Sequence, residues 1–288
     1  MAVRQVTSSF ARLTGSLSAA IPTSVGAEGK VELSEVVAGS AASVPRATLG
    51  LKYVAAGTEV YRYGGRTHRV GAGSFLVLPE NNGGEADIDR RDGRAVGMCV
   101  FLPERRGAKP YPARLDRPLV FPAACSELGR LLARSHQRMC REPQQREAIA
   151  GRLLGRIDAD TEAFLVDAVR IIDGLSAVKA STRYETMRRL NRARAYLHQV
   201  VDRPVELAEL AGHAGVSRFQ LARSFKDCFG APPAAYHRRH RLNLARAELR
   251  AGHLSCAEAA FQFGFGDAPH FSRAYKSAFG HPPSVSRD

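Results

Sequence analysis

Near its C-terminal end the chain repeats itself at a fixed offset of 50 residues. SRFQLARSFKDCFGAPPAAY begins at Ser217, and DAPHFSRAYKSAFGHPPSVS begins at Asp267. Arg223 falls on Arg273, Lys226 on Lys276, Phe229 on Phe279, Gly230 on Gly280, and Pro232 and Pro233 on Pro282 and Pro283. Two copies are too few for a solenoid, in which stacked repeats share one continuous core, so the spacing predicts a duplicated supersecondary unit.

Each copy has the same local grammar. In the first, Leu207, Leu210 and Ala211 make an apolar stripe after Pro204. Gly215 ends that helix, and Ser217 stands where the next one needs a side-chain acceptor for its free amides. Leu221 and Phe225, four residues apart, turn inward. The second copy offers Ala257, Ala260 and Phe261 as its stripe, then Gly264, Asp267 as cap, and Phe271 and Tyr275 as inward residues, with a turn one residue longer. Helix, glycine turn and capped helix predict helix-turn-helix motifs at about 207–228 and 256–279.

With those pairs inward, the first capped helix presents Arg218, Phe219, Ala222, Arg223 and Lys226. The second presents Pro269, His270, Ser272, Arg273 and Lys276. An arginine can offer two parallel donors to guanine, Phe219 and Ala222 can touch a thymine methyl, and Lys226 suits phosphate. Pro269 is tolerated because first-turn amides have no partner in the helix. The plain alternative is a compact bundle with solvated charges, which leaves the duplicated arginine and lysine unexplained.

Charge agrees with a phosphate-binding surface. Lys and Arg outnumber Asp and Glu by 42 to 28, and the excess is densest from Ser181 onward, with 17 basic and 9 acidic residues. Such a surplus releases condensed counterions when it meets nucleic acid. Flanking helices complete the domain. Arg188 to Val200 carries Leu190, Ala193, Leu197 and Val200 on one face, and Tyr236 to Arg250 carries Leu242, Ala245 and Leu249. For the cluster His237, Arg238, Arg239, His240 and Arg241, phosphate contact and a solvated face both stay open. No apolar run approaches the roughly 18 residues that span a bilayer and nothing resembles a signal peptide, so a soluble cytoplasmic protein with no membrane partner is expected. The five cysteines lack a CxxC pair and are expected to be reduced apolar fillers.

Residues 1–25, rich in Ser, Ala and Thr, are expected to be a flexible arm. From 26 to 125 short apolar stretches broken by Gly and Pro predict strands at Val31–Val37, Leu49–Ala55, Val60–Tyr63, Phe75–Leu78 and Ala95–Leu102, hence a β sandwich or barrel. Gly64 and Gly65 suit a tight hairpin turn. From 126 to 180 the period lengthens, with Leu128, Leu131 and Leu132, then Leu154, Ile157, Phe164, Ala168, Ile171 and Leu175, which predicts a helical connector. It either covers its own β domain or forms a dimerisation segment. Asp158, Asp160 and Thr161 are candidate caps that would split it. Leu175 to Arg183 lacks a period and reads as a linker.

Tyr53, Tyr61, Tyr63 and His68 either line an effector pocket or are half-buried residues in cross-strand pairs. With only His68 in the β domain, His136 beyond it and no HxH, the imidazoles are too few for the usual metal barrel. No metal site and no cofactor are expected. Neither a GxSxG nor a Gly-rich phosphate loop is present, and no catalytic residue is assigned.

At this point the residues from 189 to 287 resemble the DNA-binding domain of AraC/XylS transcriptional regulators. The elements that carry the likeness are LAELAGHAGVSRFQLARSFKDCFG, the following PP and Tyr236, RLNLARAELR, and GFGDAPHFSRAYKSAFGHPP. The resemblance implies seven helices, two recognition helices in successive major-groove segments of double-stranded DNA, and a homodimer. It further implies base contacts from Phe219, Ala222 and Arg223, and from Ala268, Pro269, His270, Ser272 and Arg273. Ala222 and Pro269 depart from the polar residues common there, which reduces the hydrogen bonds available for direct readout. LKYVAAGTEVYRYGG and VGAGSFLVLP resemble the cupin-type effector domain of the same family. The expected fold is therefore α+β in two domains: an N-terminal cupin-like β-barrel with a helical connector, and a C-terminal all-α domain with two helix-turn-helix motifs. The expected function is a sequence-specific transcriptional regulator under a small-molecule effector, with room for a contact to RNA polymerase. The rivals are a cupin-like enzyme with a regulatory helical domain, and a protein-interaction module.

Overall fold

A computed structural model describes residues 8–13, 29–37, 42–44, 49–63, 65–79, 84–88, 93–102, 111, 113, 115–177 and 179–287. The chain divides into two compact units, Met1–Gly174 with Lys179–Tyr184, and Leu175–Val178 with Glu185–Asp288. Among the described residues no helix is long and apolar enough to cross a membrane.

The first unit holds ten described strands: β1 (Ser8–Leu13), β2 (Lys30–Val37), β3 (Ala42–Val44), β4 (Gly50–Ala56), β5 (Thr58–Tyr63), β6 (Arg66–Gly71), β7 (Ser74–Leu78), β8 (Gly84–Ile88), β9 (Arg94–Phe101) and β10 (Leu119–Pro122). They sort into a six-stranded sheet, β1-β2-β9-β4-β7-β10, and a four-stranded sheet, β3-β8-β5-β6. Among the described residues the expected barrel is not formed. Each sheet is open, because β9 pairs with β2 and β4 while β5 pairs with β6 and β8, so no ladder among the described strands joins one sheet to the other. Side-chain packing joins them instead: Val54, Leu76 and Leu78 of the larger sheet meet Tyr61, Tyr63 and Val70 of the smaller.

Within the expected arm, Ser8–Leu13 is a strand that runs parallel to β2, with Phe10 opposite Leu33. The expected hairpin is present as β5 and β6, with Tyr63 opposite Arg66. Gly65 takes φ +72°, a value open to glycine at little steric cost, while Gly64 lies outside the described residues.

The other face of the larger sheet is covered by two helices, α1 (Glu127–Arg141) and α2 (Arg146–Asp173). Ser126 caps α1, its Oγ accepting from the Gly129 amide at 3.0 Å. Tyr53 of β4 meets His136 of α1 edge-on at 5.7 Å, and Phe164 of α2 packs on Phe75 at 5.4 Å and Phe121 at 4.8 Å. Phe75 and Phe121, which are fully buried, each stabilise the unit by about 1.5–3 kcal/mol through burial. With both faces of its sheet covered, β4 is buried along most of its length. The break between the helices falls at Glu142–Gln145. Asp158, Asp160 and Thr161 do not cap a new helix: Asp158 accepts from the Tyr111 hydroxyl, Asp160 pairs with Arg156 at 2.9 Å, and Thr161 is fully buried in an unbroken turn. All five cysteines are free thiols; Cys140 is exposed, which does not suit a filler, and the other four are half-buried.

The helices that follow are α3 (Ala180–Gln199), α4 (Leu207–Ala214), α5 (Arg218–Phe229), α6 (Pro233–Arg250), α7 (Cys256–Gln262) and α8 (Ala268–Phe279), and the chain closes with a 3-10 turn at Pro283–Arg287. Helix α3 begins inside the stretch expected to be linker. The repeat also reaches further than its most obvious part. RLNRARAYL at Arg189 and RLNLARAEL at Arg241 match at an offset of 52. Leu190, Ala193 and Leu197 are buried in α3 as Leu242, Ala245 and Leu249 are in α6. The Arg194 guanidinium stands 4.5 Å from the Phe229 ring centre and that of Arg246 stands 4.6 Å from Phe279. The duplicated unit is thus three helices, α3 to α5 and α6 to α8.

Candidate nucleic-acid interface

Both capped helices start as their sequences dictate. Ser217 Oγ accepts from the Gln220 amide at 3.2 Å, and Asp267 Oδ1 accepts from the His270 amide at 2.6 Å. Each satisfies one of the free first-turn amides. Leu221 and Phe225 are fully buried in α5, as are Phe271 and Tyr275 in α8. The opposite faces are therefore fixed. Arg218, Phe219, Arg223 and Lys226 are exposed, with Ala222 half-buried among them. On α8, Pro269, His270, Arg273 and Lys276 are exposed, with Ala268 and Ser272 half-buried. Phe219, at 79% exposed, is one of the few large apolar side chains left open to solvent.

The orientation of each motif is set by an arginine from the preceding helix. Arg189 of α3 donates to the Gly215 carbonyl at 2.8 Å. Arg241 of α6 is buried and donates to the carbonyls of Phe263 and Gly264 at 2.8 and 3.0 Å, with its guanidinium 4.8 Å from the Phe265 ring centre. These arginines were not singled out from the sequence as clamps, although the 52-residue match of RLN-RA- segments points to them. In the first motif a further network joins α3 to α4. Glu209 accepts from Arg203 and from the Tyr196 hydroxyl, and the Arg203 guanidinium, followed by that hydroxyl, holds its carboxyl down to about 2.

Two residues of the expected stripe face outward. Ala257 is exposed and Phe261 is 82% exposed, and Ala259 and Phe263 take the buried places beside Ala260. The helices α4 and α7 align at an offset of 49, so that Leu210, Ala211 and Ala214 match Ala259, Ala260 and Phe263; Gly266 is the extra residue that restores 50 afterwards. The basic cluster on α6 splits. Arg238 and Arg239 are exposed, whereas His237 and Arg241 are buried and His237 Nε2 donates to the Val200 carbonyl at 2.6 Å.

His270 has a defined tautomer when neutral. Its Nδ1 is 2.8 Å from the Phe265 carbonyl, which can only accept, so the proton sits on Nδ1 and Nε2 is left as an acceptor. An acceptor at the start of α8 suits the amino group of cytosine or adenine, and the neighbouring Arg273 suits guanine.

In the first unit three of the four candidate effector residues lie together and Tyr53 stands apart. Tyr61 and Tyr63 are stacked at 6.1 Å, and His68 lies edge-on to Tyr63 at 6.3 Å. Tyr53 points the other way, into α1. In its place the layer between the sheets holds Lys52 and Glu59, both buried. Burial opposes the charge on Lys52, but Cys99 and Glu59 outweigh it and its pKa stands above the ordinary value.

Residues 210–288 match the family described as "Helix-turn-helix domain". The HTH-type transcriptional regulator GbdR of Pseudomonas aeruginosa is 38% identical over 93 residues, which is 32% of this chain and 25% of that protein. A putative AraC-like transcription regulator of Streptomyces lividans is 39% identical over 91 residues, 32% of this chain and 30% of the relative. The likeness thus spans less than a third of either relative. Among solved structures, an AraC-type DNA-binding-domain regulator from Chromobacterium violaceum aligns with 30% identity and a TM-score of 0.33 over 38% of this chain and 94% of that one.

Proposed function

Because its C-terminal part is a helix-turn-helix domain of the AraC/XylS type, we propose that the whole chain is a sequence-specific DNA-binding transcriptional regulator. One observation carries the reading: two capped helices with buried faces of the same pattern each expose an arginine and, three residues on, a lysine. Arg223 and Arg273 read guanine, Phe219 and Ala222 contact thymine methyls, and His270 accepts from a base amino group. Arg218, Ala268, Pro269 and Ser272 border these contacts. Lys226 and Lys276 hold phosphate and supply the salt-dependent share of affinity.

The N-terminal unit is the effector-binding part, and a small molecule held there shifts DNA occupancy by binding two states of the protein unequally. The protein works as a homodimer in the cytoplasm, where bound DNA brings it within reach of RNA polymerase.

The decisive experiment is binding of the full chain to fragmented genomic DNA across a salt series, with sequencing of what is retained. Enrichment of a common sequence, with affinity falling as salt rises, is expected. Retention without sequence preference and without salt dependence would overturn the reading.

A further inference from the structure

The open side of the helical hairpin in the first unit carries more positive charge than its own carboxylates balance. The inner side of α1 is spent on packing, with Leu128, Leu132 and Met139 buried. Arg130, Arg134, Arg138 and Arg141 follow one another three or four residues apart along the other side, and so make one stripe. Arg134 and Arg141 are exposed and have no ion pair among the described residues. Arg130 pairs with Glu127 and donates to the Ala124 carbonyl at 2.8 Å, while Arg138 reaches Glu142 only at 3.5 Å and stays 53% exposed. Helix α2 adds to the same patch. The Glu127 carboxyl is held below the ordinary range by Arg130 first, then by Arg134 and by Arg156 of α2, and Arg152 is exposed one turn before Arg156. Six arginines thus share three carboxylates, Glu127, Glu142 and Asp160. Stability does not call for this arrangement. Like charges four residues apart oppose a helix, and the helix dipole favours cations in the last turn, which covers Arg138 and Arg141 but not Arg130 and Arg134.

We propose that this arginine stripe is a second DNA contact, which holds the phosphate backbone of the duplex that flanks the sequence read by the helix-turn-helix pair. The inference rests on the DNA-binding reading and adds to it a surface outside the C-terminal domain. A rise of 1.5 Å per residue puts Arg130, Arg134 and Arg138 about 6 Å apart and carries the stripe to Arg141 over about 16 Å, a length that about five phosphates of one strand occupy. From Ser126 to Val178 there is no lysine, and every guanidinium is a planar fork that can meet two phosphate oxygens at once. A bilayer fits less well, because a helix that lies on lipid needs an apolar face to insert, and that of α1 is buried. Since the same chain holds DNA through its other unit, the contact is intramolecular, and a few exposed charges suffice to make it.

The test compares two duplexes that share the sequence enriched from genomic DNA, one of about 20 base pairs, or two helical turns, and one extended by about two turns on each side. Affinity of the full chain for each is measured across a salt series. On the longer duplex the slope of log affinity against log salt should be steeper by about 2.7, the mark of three further phosphates, so that a fourfold rise in salt costs it about fortyfold more than the short one. Arg134→Gln, Arg138→Gln and Arg141→Gln together should bind the short duplex as the parent does, lose the extra slope and leave the Tm no lower. Arg134→Lys, Arg138→Lys and Arg141→Lys together should regain the slope, since the charge is kept. Equal slopes of the parent on both duplexes, or an extra slope that survives in the glutamine variant, would overturn the stripe and leave the helix-turn-helix reading intact. No binding of the parent to either duplex would overturn that reading and the stripe with it. Sedimentation of the parent, but not of the glutamine variant, with phosphatidylglycerol vesicles and no gain from flanking DNA would assign the stripe to a bilayer and overturn the proposal.

Discussion

Arg241 donates from Nη1 to the Phe263 carbonyl at 2.8 Å, with its side chain buried under the turn it holds. Its counterpart Arg189, on the Gly215 carbonyl, is partly exposed and also pairs with Glu185. Arg241→Ala should therefore cost about 2–3 kcal/mol, since it strands two carbonyls in the interior, and Arg189→Ala about 1 kcal/mol or less. Urea unfolding of both variants measures this, and equal costs would show that burial does not distinguish the two clamps.

Gly264 has φ +66°, and a Cβ there would fall 2.3 Å from the Asp202 carbonyl oxygen. Gly266 has φ +81° with open space around it. Gly264→Ala is expected to cost more than about 3 kcal/mol because backbone must move, and Gly266→Ala about 1 kcal/mol from the backbone conformation alone. Thermal unfolding should separate them by many degrees; matching Tm values would contradict the close approach.

Burial, with His237 nearby, holds His240 at about 4, below its ordinary 6.5. The folded state thus resists a proton that the unfolded chain accepts. Its contribution is complete above about pH 6.5 and is lost as pH falls toward 4. Unfolding free energy should decline across that window, and His240→Gln should flatten the decline. A profile identical to the parent would show that another group governs it.

At a cognate site Arg223→Ala or Arg273→Ala should lose roughly 1–3 kcal/mol and relax the base each one reads. Lys226→Ala should weaken all sequences alike and reduce the salt slope by about one. His270→Ala should relax only a position that offers an amino group. If all these variants bind every sequence as the parent does, the reading face lies elsewhere.

Features governed by neighbours in sequence were legible before the fold was known. Ser217 and Asp267 cap helices because the amides they satisfy lie within three residues, and Leu221 with Phe225 defines a face by spacing alone. Phe261 misled because α7 is short enough for two phenylalanines to fit its stripe, and the inserted Gly266 hides the true offset. Non-local choices left no local trace: β1 pairs with β2 across a long intervening segment, and the sorting of strands into two open sheets depends on which ladders close. Proximity in sequence places Tyr53 with Tyr61 and Tyr63, but it lies on the opposite face of its sheet from Lys52 and Val54. The burial of Lys52 and Glu59 has no signal in the sequence, because a charge in a strand ordinarily faces water.

The three-helix duplication separates what keeps the protein folded from what chooses its target. The clamps and the arginine-on-ring contacts involve α3, α6, the turns and the far ends of α5 and α8, while the residues proposed to read DNA occupy other positions on those two helices. On the proposed reading, substitutions at Phe219, Ala222, Pro269 or His270 would alter one half of the target while the other copy, with its own clamp and its own exposed arginine, kept hold of the other half.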